Sequence, residues 1–216
     1  MFYHRIEDQG IEVFWAALES QDDALYENAN LSPEESKLFE SFSSDLRKVE
    51  WLQVRALLNA VFKQKVEIAY RKNGQPYLPN YPNSEISISH SRTIVAVALS
   101  TGFQVGVDVE QIHPRLMKVS HRFLNSKEQV LYNSFSTVIE KLQFLTIVWS
   151  AKEALYKIIG SDVDYKKAVC VQSFLPKQEG TAIVEYFKGD IHRRFLSTFK
   201  TVEATSILLW MKEKKL

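Results

Sequence analysis

Two acidic residues at strand spacing are the first sign of chemistry in this chain. The stretch G-V-D-V-E, from Gly106 to Glu110, alternates valines with Asp108 and Glu110. Because side chains two residues apart on a strand point the same way, the two carboxylates are expected about 6 to 7 Å apart along the backbone, where they repel each other. This repulsion indicates a cation between them. The alternative is an edge strand with a solvated face, since charges on exposed strands commonly protect against aggregation.

A second candidate stretch, W-S-A-K-E-A-L-Y-K, runs from Trp149 to Lys157. On a helix, residues four apart lie on one side, which places Trp149, Glu153 and Lys157 together. The apolar residues fall on roughly the opposite side: Ala154, Leu155, Ile158 and Ile159. An exposed Glu-to-Lys pair at this spacing contributes only about 0.3 to 0.5 kcal/mol and would be a plain surface feature. A tryptophan on a fully solvated face is uncommon, which favours a functional face.

The elements that must position these residues follow from apolar periodicity. Loose alternation predicts a strand over 11–18, and L-S-P-E-E from residue 31 predicts a helix start with a serine cap and a proline in the first turn. Apolar spacings of three and four predict an amphipathic helix over 46–62. Further patterns predict two strands in 86–100 broken at 90–93, helical regions at 126–131 and 149–159, and tail strands at 169–174, 182–187 and 207–211.

His90 lies at the break between two of these strands, in the stretch S-I-S-H-S. One interpretation is a turn histidine that bonds its own backbone. The other is a group that meets a ligand. The residue pattern alone leaves both open.

Composition limits the class of protein. The chain has 216 residues, 45% of them hydrophobic, enough for one ordinary domain or two small ones. With 27 basic and 26 acidic residues, the net charge of +1 provides no global field for nucleic acid or an anionic membrane. The single cysteine, Cys170, excludes an internal disulfide and fits a reducing compartment. The N-terminal stretch lacks the apolar run of a signal peptide or membrane span, so we expect a soluble cytoplasmic protein.

Together, the two motifs resemble the signature pair of the 4′-phosphopantetheinyl transferase superfamily. They stand in the order and at the spacing of that family, from Glu110 to Glu153. Three further pieces resemble the larger surfactin-synthetase-activator type: S-I-S-H-S, G-Q-P at residues 74–76, and L-S-P-E-E. The resemblance covers residues 31–160, and the paired motifs are far more specific than either alone.

The resemblance implies a metal site and catalytic groups. By it, Asp108, Glu110 and Glu153 bind Mg²⁺, or Mn²⁺, which prefers hard oxygen ligands such as carboxylates and the pyrophosphate of coenzyme A. It implies that Glu153 is the general base, directly or through a metal-bound water, and that Lys157 holds the pyrophosphate and stabilises the departing phosphate. Lys152, on a flank of the same helix, is a further candidate contact to the coenzyme.

The resemblance also implies contacts to coenzyme A, the co-substrate, from the N-terminal half. The candidates are Arg47, Lys48, Arg55, Gly74, Gln75, Pro76, Ser89 and His90. Gln75 departs from many relatives, which carry Lys or Arg there, because an amide can bond to phosphate but cannot neutralise it. Glu35 likewise stands where a lysine is common. The coenzyme phosphates are therefore expected to depend on other contacts.

The implied fold is α+β, a pseudo-twofold pair of similar α/β subdomains at residues 1–104 and 105–216, each a three-stranded antiparallel sheet packed with a long helix. Coenzyme A is expected in the cleft between them, with phosphate and adenine contacts in the first and the metal site and catalytic helix in the second. The implied reaction is attack by a serine hydroxyl of an apo acyl or peptidyl carrier protein on the β-phosphorus of coenzyme A, releasing 3′,5′-ADP. The length resembles that of monomeric members, and neither nucleic acid nor membrane is an expected partner.

Two other functions stay open. The first is a non-catalytic module that binds coenzyme A or a carrier protein, with carboxylates that serve only structure. The second is another Mg²⁺-dependent phosphotransferase or hydrolase, because a D-x-E pair is widespread and one fold hosts several chemistries. The presence of S-I-S-H-S and G-x-P favours the transferase, since an unrelated hydrolase has no need for coenzyme-binding elements.

Overall fold

The computed structural model describes residues 1–19, 23–160 and 163–214. The chain forms a mixed structure of helices and antiparallel sheets, which confirms the predicted α+β class. It divides into two compact units, Met1–Gly102 and Phe103–Leu216, and each has its own sheet and apolar core. Within the described residues, no helix combines the length and the apolar character needed to cross a bilayer.

The first unit is built on a four-stranded antiparallel sheet in the order β1-β2-β6-β5, with a small β3-β4 ladder beside it. Its elements are β1 (His4–Asp8), β2 (Ile11–Ala17), α1 (Asp23–Ala29), α2 (Pro33–Glu40), α3 (Asp45–Phe62), β3 (Ala69–Tyr70), β4 (Pro76–Tyr77), β5 (Ser84–His90) and β6 (Ile94–Thr101). Helix α2 begins as predicted, with Ser32 and Glu35 forming a capping box.

Helix α3 joins the two apolar clusters of the first unit. Leu57 and Leu58 pack in a cluster with β2 and β6, while Trp51 and Leu52 pack in a second cluster with α1 and α2. The predicted helix over 46–62 is confirmed. Because apolar partners cover two of its sides, a residue in its middle is more often buried than a simple amphipathic pattern predicts.

The second unit is built on a five-stranded antiparallel sheet in the order β7-β11-β10-β9-β8. Its elements are β7 (Val105–Gln111), α4 (Arg115–Val119), a short 3-10 helix (Ser120–Arg122), α5 (Ser126–Ser134), α6 (Val138–Ile159), β8 (Val169–Val171), β9 (Glu179–Lys188), β10 (Ile191–Val202) and β11 (Ser206–Glu213). Helix α6 lies against this sheet and forms the core with it.

The expectation of three strands in each sheet was wrong, since the described sheets have four and five. In the first unit, the short edge strand β1 has the charged sequence H-R-I-E-D and no fully buried residue, so it lacks an apolar run. In the second, β10 mixes buried Phe195, Ser197 and Phe199 with polar neighbours, which obscures its alternation. Edge and polar strands depend on pairing with neighbours rather than on their own hydrophobicity.

Some boundaries also differ from the predictions. Helix α6 begins at Val138 rather than near 149, and its first turn is fixed by a capping box between Thr137 and Glu140. The strand predicted over 169–174 ends at Val171. The pseudo-twofold relation between the units stays a prediction.

Gly106 lets helix α6 approach strand β7 closely. A Cβ atom added to this residue would lie 2.2 Å from the Ala154 carbonyl oxygen and 3.1 Å from the Ile158 side chain. Side chains alternate along a strand, so Asp108 and Glu110 lie on the same face as Gly106, the face turned to the helix. The glycine of G-V-D-V-E therefore brings the acidic residues beside the W-S-A-K-E-A-L-Y-K helix.

We expect Gly106→Ala to lower the free energy of unfolding by about 1 to 3 kcal/mol, or more, because the added methyl group displaces helix backbone rather than a flexible side chain. Urea unfolding followed by circular dichroism measures this. Gln104→Ala, an exposed change just before the same strand, is the matched control and should stay within about 0.5 kcal/mol of wild type. Equal stability of the two variants would show that helix and strand are not in close contact.

Candidate functional site

Asp108 is buried against helix α6 and paired with a lysine from it. Only 7% of the residue is exposed, and Lys157 Nζ donates to its Oδ1 at 2.9 Å. The same ammonium donates to the backbone oxygen of Val107 at 2.7 Å. The interpretation of Asp108 as part of a solvated face is therefore wrong, and so is the interpretation of Lys157 as part of a surface pair with Glu153.

Glu110 lies further along the same face of β7 and has a different partner. Its Oε1 accepts from Arg115 Nη2 at 2.7 Å and from the backbone N–H of Gln111 at 3.0 Å. The Glu110 side chain is only 16% exposed, whereas that of Arg115 is 55% exposed. The arginine can therefore move into solvent at little cost.

Glu153 completes the acidic group from the helix side. The Tyr165 hydroxyl donates to its Oε1 at 3.0 Å. Burial raises the pKa of Glu153, and the negative charge of Asp108 raises it further, with a smaller effect of the same sign from Glu110. The three carboxylates are thus close enough to repel one another electrostatically.

These residues fit a hard divalent cation by their chemistry. Carboxylate oxygens are the preferred protein ligands of Mg²⁺, and a cation among them would offset both the burial of Glu153, which raises its pKa most, and the negative charge of Asp108, which raises it further. As the side chains stand, no three His, Cys, Asp or Glu residues within the described ranges converge on one metal position. Lys157, Arg115 and Tyr165 each hold one carboxylate instead. Metal binding would require rotation of these side chains.

Lys152 does not project from the helix as a contact for coenzyme A. The side chain is fully buried, and its ammonium donates to Glu128 Oε2 at 2.6 Å and to the backbone oxygens of Phe123 and Tyr165 at 2.6 and 2.8 Å. Burial lowers the pKa of Lys152, and the Glu128 carboxylate opposes that shift. These contacts indicate that Lys152 links helix α6 to neighbouring segments of the unit rather than binding a phosphate.

Glu128 was missed by sequence reasoning although its motif was visible. Asn125 and Glu128 form the capping box of α5, and the Glu128 carboxylate also accepts from the backbone N–H of Val171 at 2.8 Å. One buried carboxylate thus links α5, α6 and β8. The N-x-x-E pattern predicts the cap but not the buried lysine.

In the first unit, Arg47 and His90 lie together at the end of β5. His90 Nδ1 is 3.0 Å from Glu50 Oε1, and Nε2 is 3.3 Å from Arg47 Nη1. A carboxylate accepts and a guanidinium donates, so this arrangement suits the tautomer with its proton on Nδ1. Ser89, just before His90, is buried at 5% exposure. Sequence reasoning did not identify Glu50, which orients the imidazole.

Two other predicted coenzyme contacts of the first unit, Arg55 and Lys48, have partners within that unit. Arg55 is 2% exposed, donates to Glu35 Oε1 at 2.8 Å and lies over the Trp51 ring, so it is an interior ion pair rather than a phosphate contact. Burial lowers its pKa, and Glu35 opposes that effect. Lys48 lies over the Phe39 ring, 5.5 Å from its centre.

The G-Q-P stretch forms a tight turn between β3 and β4. Gly74 has a φ of 83°, a left-handed conformation that favours glycine. The Gln75 side chain accepts from Asn73 Nδ2 at 2.9 Å, and the Gln75 backbone N–H donates to Asn73 Oδ1 at 3.2 Å. Pro76 then begins β4. The turn determines the shape of this end of the β3-β4 ladder. The Gln75 side-chain amide can be reoriented because it is near the surface.

We expect Lys152→Ala to lower the free energy of unfolding by about 3 to 5 kcal/mol, because it leaves the Glu128 carboxylate buried without its cation. Chemical denaturation measures the loss. Lys167→Ala, which removes an 87% exposed lysine side chain from the same unit, is the control and should change little. If Lys152→Ala has wild-type stability but binds coenzyme A more weakly, the result would support the prediction that Lys152 contacts the coenzyme.

Comparison with known proteins places these motifs in a family. The sequence model of the 4′-phosphopantetheinyl transferase superfamily matches residues 104–206. Over 93 residues, the chain is 30% identical to 4′-phosphopantetheinyl transferase psf-1 of Bacillus pumilus, covering 43% of this chain and 39% of that protein. Over 116 residues, it is 31% identical to 4′-phosphopantetheinyl transferase AcpT of Escherichia coli K12, covering 51% and 57%.

A third relative, 4′-phosphopantetheinyl transferase Sfp of Bacillus subtilis, is 23% identical over 157 residues, covering 62% of this chain and 67% of that protein. The chain spans about half the length of the first two relatives. The resemblance seen in the sequence is confirmed at the level of the superfamily. Residues 104–206, which carry both acidic motifs and helix α6, match the sequence model of the 4′-phosphopantetheinyl transferase superfamily.

Proposed function

We propose that this chain transfers 4′-phosphopantetheine from coenzyme A to a serine hydroxyl of an apo acyl or peptidyl carrier protein and releases 3′,5′-ADP. The observation that carries the proposal is the pairing of β7 with α6 inside the family-matched segment, which sets Asp108, Glu153 and Lys157 side by side. Carboxylates and an ammonium in one place are the groups that phosphoryl transfer needs, because its catalysis consists mainly of positioning and charge neutralisation.

Asp108, Glu110 and Glu153 are the proposed ligands of Mg²⁺, or Mn²⁺. When bound, the metal supplies Lewis-acid neutralisation of the coenzyme pyrophosphate. Burial raises the pKa of Glu153 most, and the charges of Asp108 and Glu110 raise it further, which supports the assignment because the three carboxylates influence one another. The Arg115 side chain is 55% exposed and can leave Glu110, whereas Lys157 would have to exchange its bond to Asp108 for one to the coenzyme phosphates.

Glu153 is the proposed base. The serine oxygen of the carrier attacks the β-phosphorus, its bond to phosphorus forms as the bond to the 3′,5′-ADP oxygen breaks, and the serine proton passes to the Glu153 carboxylate. A carboxylate whose pKa is raised by burial holds a proton more readily than one in water, which suits this role. Lys157, one helical turn on, is the proposed cation for the departing phosphate.

Arg47 and His90 are the proposed contacts to the 3′-phosphate of coenzyme A. They lie 3.3 Å apart and near the surface of the first unit, with Glu50 orienting the imidazole. Gln75 and Lys48 are secondary candidates. We propose that the protein is a monomer and that it acts in the cytoplasm, a location in line with its single cysteine.

A non-catalytic module that binds coenzyme A or a carrier protein is the second candidate. It is favoured by the separate partners of the three carboxylates, none of which shares a metal position with two others in the described parts of the chain. Such a module would keep its ion pairs when coenzyme A binds. The experiment below separates the two functions.

We expect an apo carrier protein incubated with this protein, coenzyme A and Mg²⁺ to gain the mass of one phosphopantetheine, and EDTA to prevent the gain. Asp108→Ala and Glu153→Ala should each lower the rate of transfer about 100-fold or more, because each substitution removes a proposed metal ligand. Glu153→Ala also removes the proposed base. Glu179→Ala is the matched control, since its carboxylate is 71% exposed on β9. Intact mass spectrometry of an acyl and a peptidyl carrier protein measures all of these.

Absence of transfer to several folded carriers, despite measurable binding of coenzyme A, would instead support the non-catalytic module. Wild-type rates in either alanine variant would remove that residue from the proposed metal site.

We expect Arg47→Ala to raise the KM for coenzyme A about 10-fold or more, because a charge-assisted hydrogen bond contributes about 1.5 to 3 kcal/mol. With 3′-dephospho-coenzyme A as substrate, variant and wild type should have the same KM, since the phosphate that Arg47 meets is absent. Arg5→Ala removes an exposed arginine of the same unit and is the control. An equal rise in KM for both coenzymes would place Arg47 elsewhere than at the 3′-phosphate.

A further inference from the structure

A tyrosine outside the two sequence motifs holds the proposed base. Tyr165 lies in the turn between α6 and β8, and its hydroxyl donates to Glu153 Oε1 at 3.0 Å. Within the described parts of the chain, this is the one hydrogen bond to the Glu153 carboxylate. A phenol is ordinarily protonated at neutral pH, so Tyr165 is the donor in this hydrogen bond and the carboxylate is the acceptor.

The Tyr165 ring is fixed against helix α6 on two sides of Glu153. Trp149, one turn before Glu153, meets it edge to face with ring centres 5.9 Å apart. Tyr156, almost one turn after, does the same at 6.3 Å. Aromatic contacts of this kind restrict the ring to one position over the helix. Tyr165 therefore reaches the carboxylate from a defined direction.

The backbone of Tyr165 is fixed as well. Its carbonyl oxygen accepts from the buried Lys152 ammonium at 2.8 Å, and that ammonium is held by Glu128. The turn is closed by Asp164, whose carboxylate accepts from the backbone N–H groups of Lys166 and Lys167 at 3.0 and 3.1 Å. The ring and the backbone of Tyr165 are therefore both fixed, and this fixes the position from which its hydroxyl donates to Glu153.

We propose that Tyr165 is a positioning residue for Glu153, fixing one carboxylate oxygen by a hydrogen bond and leaving the other for proton acceptance or metal binding. The role in transfer rests on the proposed function of Glu153, whereas the fixing of the carboxylate does not. A carboxylate that accepts a hydrogen bond from an outer partner, a side chain that itself touches neither substrate nor metal, loses rotational freedom before the substrate binds. Outer partners of this kind typically change metal affinity or activity about 10- to 100-fold.

Tyr165→Phe tests the proposal, because it removes the hydroxyl and keeps the ring between Trp149 and Tyr156. Tyr156→Phe is the matched control, since it removes a hydroxyl from the neighbouring ring of the same cluster. Both are compared with wild type by three measurements on the full chain: the carboxyl ¹³C signal of Glu153, assigned by its loss in Glu153→Gln; Mn²⁺ affinity by calorimetry; and kcat and KM for coenzyme A.

In Tyr165→Phe we expect the Glu153 signal to shift and broaden, Mn²⁺ affinity or kcat to fall about 10-fold or more, and KM for coenzyme A to stay near wild type. Tyr156→Phe should resemble wild type in all three. Identical results for the two variants would overturn the proposal, and so would unfolding of Tyr165→Phe under assay conditions, which would show a purely structural tyrosine.

The outcomes also separate this inference from the proposed function. If wild type transfers nothing to any carrier, the Glu153 signal still decides whether Tyr165 fixes the carboxylate. A shift specific to Tyr165→Phe would then support positioning while the transferase activity fails. Normal transfer by Tyr165→Phe with an unshifted signal would leave the activity intact and remove Tyr165 from it.

Discussion

The close contact of strand β7 with helix α6 is the constraint on which the site depends. A helix packs on a sheet at a distance set by the side chains between them, and at Gly106 there is none, so the Ala154 carbonyl lies where a Cβ atom would be. The next residues on that face, Asp108 and Glu110, are consequently brought next to the helix. Without this approach, the two acidic motifs would be neighbours in the unit without sharing an electrostatic environment.

That environment brings like charges together, and the second unit compensates them one by one. Among the residues that the structure describes, Asp108 accepts from the Lys157 ammonium, Glu110 from the Arg115 guanidinium, and Glu153 from the neutral Tyr165 hydroxyl. Burial is the largest cause of the raised pKa of Glu153, and the negative charge of Asp108 raises it further. The Tyr165 hydrogen bond and, to a smaller extent, the charge of Lys157 lower this pKa, but burial and the charge of Asp108 outweigh them, so Glu153 is both ordered and more basic than a carboxylate in water. This is a useful combination for a base.

Sequence patterns predicted the helices and strands that bury an apolar face. They missed strands that form because neighbouring strands complete their hydrogen bonds. The helices α2 and α3 and the strand β7 were predicted because caps and periodicity are local. The edge strand β1 and the polar strand β10 exist because neighbours complete their hydrogen bonds, and a single sequence does not contain that information. For the candidate site, the motifs predicted Asp108, Glu153 and Lys157, which the structure brings together, whereas Tyr165 comes from a turn whose path follows only from packing.

The lysines of W-S-A-K-E-A-L-Y-K show why a motif identifies a site more reliably than it assigns roles. Lys152 and Lys157 have the same chemistry and lie on one helix, but their positions around its axis differ. Lys152 faces the interior and its charge is fully used by Glu128 and backbone oxygens, while Lys157 lies at the edge of β7 with a quarter of its side chain exposed. The buried ammonium holds the Tyr165 carbonyl, and the Tyr165 hydroxyl holds Glu153. One lysine therefore fixes the turn whose tyrosine bonds the proposed base, and the other lies beside Asp108 at the candidate site.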